Sequence, residues 1–261
     1  MATVEAPPLS SETIAHVGSF EIRNTMLMAW LAMIVLTAIA LSVRGTKYRE
    51  VPGRFQMLME LIVGGLFDFF DAVVGNREQT RRFFPLVATI FLFLVAANWM
   101  GILPGVGSIT VAEMVEGHPA ALPLLRSMNA DVNMTLAIAL ISVTMTQIFG
   151  IAMLGIGPHL SKYFVAPWRD PIMSFVGILE LVAEFAKIIS FSFRLFGNIF
   201  AGEVLLVVIS FLLPLLGPLP FLGLEIFVGF IQGLVFALLT IVFLKMATQA
   251  HGSHAHEALH A

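Results

Sequence analysis

Arg194 lies near the middle of residues 172–213, a stretch otherwise dominated by Ile, Leu, Val and Phe. A guanidinium keeps its proton at any physiological pH. Holding one at bilayer depth costs about 2.5–3.5 kcal/mol on insertion scales, so it needs an anion or a watery cavity beside it. In the same stretch Glu180, Glu184, Lys187, Arg194 and Asn198 recur at intervals of 4, 3, 7 and 4, with Phe191 in the gap. That spacing draws one stripe along a helix. Glu203 comes nine residues after Arg194, half a turn round, and faces elsewhere. The pattern is carboxylates at one end, a fixed cation in the middle and a separate carboxylate beyond it.

Residues 220–246 carry a matching polar face of Glu225, Gly229, Gln232 and Thr240 at spacings of 4, 3 and 8. If the two stretches pair antiparallel about a turn near Pro214, Gln232 comes within a turn or two of Arg194, and Glu225 approaches Glu203. Two carboxylates in a low-dielectric setting repel one another, which suits a proton-exchanging site. Such groups also serve simply to hydrogen-bond helices together in membrane bundles. The aligned set with a central arginine favours an ion path, and the structural reading stands beside it.

The composition says what must position these groups. Hydrophobic residues make up 58%, charged residues 12%, and the mean hydropathy is +0.93; a soluble domain carries about 25% charged residues. This is the profile of an all-α integral membrane protein. The net charge of −3 gives no electrostatic sign of a nucleic-acid partner, and none is expected. Without cysteine there is no disulfide, thiol chemistry or thiolate metal site. Residues 1–24 hold Glu5, Glu12 and Glu21 against Arg23 alone, unlike a cleaved leader, so the chain is expected to be complete and this segment to lie outside.

Apolar runs long enough to cross a bilayer occupy residues 25–43, 83–103 and 133–157. The basic cluster Arg44, Lys47, Arg49 and Arg54 puts the first loop in the cytoplasm. Residues 55–75 have basic flanks on both sides, with Glu60, Gly64, Asp68 and Asp71 on one stripe. They read as an amphipathic helix at the cytoplasmic interface, with a re-entrant hairpin kinked at Gly64-Gly65 as the alternative. Residues 83–103 end in Asn98, Trp99 and the breaker Pro104. The external loop 104–132 sets Glu113, Glu116 and Asp131 against a single Arg126, and Asp131 reads as a helix cap. As one helix, residues 172–213 would measure about 63 Å, so they must tilt, lie partly along the membrane or break. The sum is one membrane domain, residues 1–261, with five crossing units, one interfacial helix, the amino terminus outside and the carboxyl terminus inside.

The run Phe193-Arg194-Leu-Phe-Gly-Asn198-Ile-Phe-Ala-Gly-Glu203 resembles the signature of subunit a of the rotary F-type ATP synthase. The likeness extends from about residue 25 to 247 and includes Asn98, the run Asp131-Val-Asn133-Met-Thr135, Glu180, Lys187 and Gln232. It implies a long, steeply tilted helical hairpin of residues 172–213 and 220–246 lying against a ring of c subunits. Arg194 would be the essential cation meeting each ring carboxylate and blocking a direct proton short circuit. Asn198, Glu203, Glu225 and Gln232 would line the outer half-channel, with Asn98 and Asp131 near its mouth. Glu180, Glu184 and Lys187 would belong to the cytoplasmic half-channel.

The implied partners are the c-ring, the peripheral-stalk b subunits, the remaining ATP synthase subunits, lipid and protons. The implied location is a bacterial inner membrane. Some family members have histidine where Glu225 stands and an acidic residue where Gly101 stands, so the outer path here would use two carboxylates and a differently lined mouth. The chain has no phosphate-binding loop, so it is expected to be a non-catalytic subunit without nucleotide, cofactor or resident metal. The tail from His251 to His260 reads as a solvated end, with zinc or nickel binding as the alternative. A stand-alone transporter is the competing function, opposed by the lack of an internal repeat.

Overall fold

The computed structural model describes residues 11–45, 53–103, 105–106, 109–115, 118–163, 171–214 and 216–249. The histidine-rich tail, Lys47, Arg49, Pro104 and Arg169 lie outside these ranges, as does the side chain of Glu113. Seven helices follow in chain order: α1 (Asn24–Gly45), α2 (Arg54–Val74), α3 (Arg77–Ile102), α4 (Val132–Leu154), α5 (Ile156–Leu160), α6 (Pro171–Leu212) and α7 (Pro218–Ala247). Five of them, all but α2 and α5, are long and apolar enough to cross a membrane. The protein is an all-α membrane protein.

Two short hairpins, unforeseen in the sequence, decorate the loops. β1 (Thr13–Val17) pairs antiparallel with β2 (Phe20–Arg23), and β3 (Thr110–Val115) with β4 (His118–Pro123). The first turns through Gly18 at φ 64°, a left-handed conformation that glycine adopts without steric cost.

α2 is one continuous helix through Gly64-Gly65, so the hairpin alternative does not form there. Only Phe70 and Val74 of α2 are buried, against Phe83 and Val87 of α3. The corner between α2 and α3 is built by Gly75 in the left-handed region and by Asn76, whose Oδ1 accepts from the backbone N–H groups of Glu78 and Gln79 at 3.0 and 3.2 Å. Asn76 thus starts α3 ahead of its apolar run, and the helix takes in Arg77, Arg81 and Arg82.

α6 is a single uninterrupted helix of 42 residues. Apart from Gly177, its buried residues are confined to Phe191–Ile199, at mid-length. Around them sits the core: Phe191 packs against Phe236 with ring centroids 4.8 Å apart, beside Met28, Leu94 and Leu195. Exposed apolar side chains carry no penalty in lipid, so helix association there rests on close packing and hydrogen bonds. α3 and α7 show both. A Cβ on Gly229 would meet Asn98 Cβ at 3.0 Å, and one on Gly233 would meet Val95 Cγ2 at 2.8 Å. These two glycines, four residues apart, let the backbones come together, and Asn98 Nδ2 donates to the Gly229 carbonyl at 2.9 Å.

Candidate functional site: a lateral arginine between two cavities

Arg194 is exposed, and its side chain makes only a long contact, Nη2 to Ser190 Oγ at 3.5 Å. Among the described residues no carboxylate lies within ion-pair distance of it. The helix geometry explains the exposure. Phe191 and Arg194 share the polar stripe, yet Phe191 is buried whereas Arg194 sits at the stripe's edge, beside exposed Ser190, Phe193 and Gly197. A Cβ on Gly197 would meet nothing within 4 Å, so the flank next to the guanidinium is flat and open.

One turn beyond Arg194, Asn198 Nδ2 donates to Gln232 Oε1 at 2.8 Å, which ties α6 to α7 in the antiparallel register expected of them. A cavity of about 230 Å³ opens there, lined by Asn198, Gly202, Leu205, Phe221 and Glu225 among others. Glu225 reaches over Gly202, where an added Cβ would stand 3.1 Å from its Oε1, and its Oε2 is buried with no hydrogen-bond partner.

Glu203 differs from expectation. The sequence suggested a bare pair with Glu225, but the Glu203 carboxylate is gripped by Arg126, Nε to Oε1 at 2.9 Å and Nη2 to Oε2 at 3.1 Å. The Arg126 side chain is only 4% exposed and that of Glu203 25%. Such a fork-on-fork pair is among the strong charge-assisted hydrogen bonds.

Arg126 belongs to a buried segment, Arg126 to Asp131, that fills the space above α3, α4 and α6. Its Asn129 donates to Asn98 Oδ1 at 2.5 Å. Its Asp131 caps α4 through Asn133 N at 2.9 Å and also accepts from Thr25 Oγ1 at 3.2 Å and from the Ser11 hydroxyl. Asp131 is therefore engaged as a helix cap and tie between elements. The close fit extends to Gly101, where a Cβ would stand 2.8 Å from Ser127 Cβ, so a larger residue at that position would have to move the segment. Glu12, half-buried near Arg126 and Glu203, has its carboxyl pushed above the ordinary value by burial, against the pull of the Arg126 guanidinium.

On the other side of Arg194, about 15 Å down the helix by rise per residue, Glu184 faces a second cavity of about 250 Å³ with Gln147, Tyr163, Leu181 and Ile188. Lys187 Nζ donates to Glu184 Oε1 at 2.6 Å and stands 4.4 Å over the Phe243 ring. Glu180, one turn earlier, is half-buried.

Sequence reading missed the rest of this cluster. Gln147 Oε1 receives the Tyr163 hydroxyl at 3.1 Å and stands 2.8 Å from His159 Nε2. Lys162 Nζ donates to the carbonyls of Ala247 and Gln249, both at 3.2 Å, at the end of α7. A cation at a helix carboxyl end meets the negative pole of its dipole. Burial pushes the Tyr163 hydroxyl up to about 12, with the Glu184 charge adding to it and the Gln147 bond opposing. Burial also holds His159 below its ordinary value, aided by Lys162 and opposed by Glu184 and Glu180. Among the described residues no cluster of acidic or imidazole groups has the grouping to hold a metal ion.

The arrangement can hold a proton or cation on either side of a fixed positive charge. Comparison with known proteins places the chain in a family. Residues 26–245 match the family model of the ATP synthase A chain. The chain is 35% identical to ATP synthase subunit a of Desulfotalea psychrophila, over 88% of this chain and 85% of that one. It is 32% identical to ATP synthase subunit a of Syntrophobacter fumaroxidans (92% and 88%) and 30% identical to that of Moorella thermoacetica (91% and 96%). With a polar stripe, a lateral arginine and a match along most of its length, this chain belongs to the ATP synthase subunit a family.

Proposed function

We propose that the chain is the proton-conducting stator subunit of a rotary ATP synthase, with two offset half-paths separated by Arg194. The observation that carries this reading is an exposed arginine at mid-helix, with no carboxylate of the described residues within ion-pair distance, between two cavities that each take in a glutamate. A permanent cation in that position calls for an anion arriving from outside. A carboxylate on a rotating ring of c subunits, passing the open flank at Ser190, Arg194 and Gly197, supplies one.

In this reading a proton enters by the outer cavity, past Asn198, Gln232, Glu203 and Glu225, and neutralises a ring carboxylate. After a rotation it leaves through the cavity at Glu184, with Glu180 and Lys187 nearby. Arg194 holds the passing carboxylate ionised and keeps the two paths from joining. Asn98 shapes the outer side by fixing α3 to α7, and Asp131 by fixing the start of α4. The partners are the c-ring, peripheral-stalk b subunits and the other synthase subunits, in a bacterial inner membrane. The amino terminus lies outside, and α2 rests along the cytoplasmic interface with its basic ends toward that side.

Reconstitution tests it. Alone in vesicles the chain should conduct almost nothing, and with its c-ring it should pass protons down an imposed gradient. Conduction of protons or a solute by the purified chain alone contradicts the stator reading and favours a stand-alone transporter.

A further inference from the structure

We infer that Arg126 is a positioning residue of the outer path: by gripping Glu203 in a two-pronged ion pair, it reserves proton exchange to Glu225. The inference rests on the half-path reading above and assigns different work to two carboxylates that the sequence alone leaves equivalent.

The two acids differ in every local respect. Glu203 has both oxygens on Arg126, at 2.9 and 3.1 Å. Protonating it would break at least one charge-assisted bond and leave a buried guanidinium without its anion. Glu225 lines the cavity that begins at Asn198, and its Oε2 has no partner. A carboxyl that exchanges a proton with water needs room beside it and an oxygen free to accept. Glu225 has both; Glu203 does not line that cavity.

Arg126 is itself held in place. The segment around it is anchored at Asn129 to Asn98 and at Asp131 to Thr25 and Ser11. A planar, pre-organised fork fixed at its base can hold a carboxylate in one orientation, which a flexible ammonium does less well. The charged groups that bear on Glu203 among the described residues are Arg126 from this segment, Glu12 from the amino-terminal segment and Glu225 from α7. Removing Arg126 would leave three acids facing one another with no cation, and Glu203 would then compete with Glu225 for the proton.

The test measures passive proton flow through the complete membrane sector in vesicles as the outer-side pH is varied, with c-ring co-purification as the check on assembly. Glu203→Gln should lower the flow yet keep the native titration step, whereas Glu225→Gln should remove that step and cut flow tenfold or more. Arg126→Gln should add a second step to the profile. Adding Glu203→Gln to it should abolish that second step and raise the flow above that of Arg126→Gln alone. Arg126→Lys should keep one step with reduced flow.

The inference is overturned if Glu203→Gln removes the native step while Glu225→Gln retains it. It is also overturned if the assembled double variant conducts no better than Arg126→Gln. Should Arg126→Gln fail to assemble, the two glutamate variants still decide the matter. Arg194→Ala in the same vesicles separates the two levels: if the dependence of flow on Arg194 is missing, the half-path reading fails, not the division of labour between the acids.

Discussion

The two cavities flanking Arg194 are built on different plans. On the outer side a run of side-chain bonds joins the elements, Arg126 with Glu203, Asn129 with Asn98, Asn98 with the Gly229 carbonyl, and Asn198 with Gln232. Ser127 Oγ, Asn129 Oδ1, Glu225 Oε2 and Gln232 Nε2 on that side are buried without partners. On the inner side Glu184 Oε2, Gln147 Nε2 and His159 Nδ1 are buried without partners. Buried polar atoms are normally satisfied, so the clusters on both sides mark places suited to water. The difference lies in how the acids are held: Glu203 has both oxygens on Arg126, whereas Glu184 has one oxygen on Lys187 and the other unpartnered. In the proposed reading this makes the outer side the more exacting of the two half-paths.

That contrast can be broken in order of expected effect. Replacing Glu203 and Glu225 together with Gln should cut proton flow in both directions by at least tenfold, about 1.4 kcal/mol in the barrier, with assembly intact. Glu184→Gln should cost about threefold or less, about 0.7 kcal/mol on the same scale, because water in the inner cavity substitutes for the lost group. Flow measurements on the assembled sector decide between them. An inner-side loss as large as the outer would end the asymmetry.

The next effect is on stability. Asn98→Leu strands the Asn129 amide in a buried setting and removes the second bond to the Gly229 carbonyl, which keeps its helical partner; the unpaired amide should cost about 1–3 kcal/mol. It should be read as a lowered thermal midpoint of the detergent-solubilised chain. Gln147→Leu takes the Oε1 partner from the Tyr163 hydroxyl and from His159 Nε2 and should lower the midpoint as well.

Much of this was legible because it lies within single helices or across one short turn. The stripe from Glu180 to Asn198 is a period-of-3.6 pattern inside α6, and the Asn198–Gln232 bond follows from an antiparallel pair in which α6 ends at Leu212 and α7 begins at Pro218. What escaped depends on long-range contact. Arg126 meets Glu203 across 77 residues, and Ser11 meets Asp131 across 120. Arg126 looked like a solitary loop charge because loop length says nothing about where the loop folds back. The β-hairpins escaped because strands of four to six residues in mixed loops carry little periodicity. The stripe itself misled in one respect. It places Phe191 and Arg194 together, while the contact of α6 with α4 and α7 buries the first and leaves the second at the edge.

A smaller effect concerns pH on the inner side. Burial keeps His159 below its ordinary value, so an undocked α5 binds a proton more readily than the docked one. The docked form therefore loses stability as pH falls through about 6.5 and is fully held above it. The protection of the amides of residues 156–163, taken relative to the intrinsic exchange rate at each pH, should fall at pH 5 relative to pH 7.5, and His159→Gln should flatten that dependence. Unchanged protection across this range contradicts the docking role. The smallest effect is expected of Lys162→Ala, which removes a cation from the carboxyl end of α7 and should cost about 0.3–1 kcal/mol, seen as faster exchange at residues 244–248.

The central claim is that Arg194 works against an anion from outside its own chain, and one measurement addresses it most directly. In a fully assembled, reconstituted complex, Arg194→Ala should abolish ATP synthesis driven by a proton gradient while leaving the amount of assembled complex unchanged. Gradient-driven synthesis persisting at a native rate in that variant would contradict the account and reduce the polar stripe of α6 to helix-packing groups.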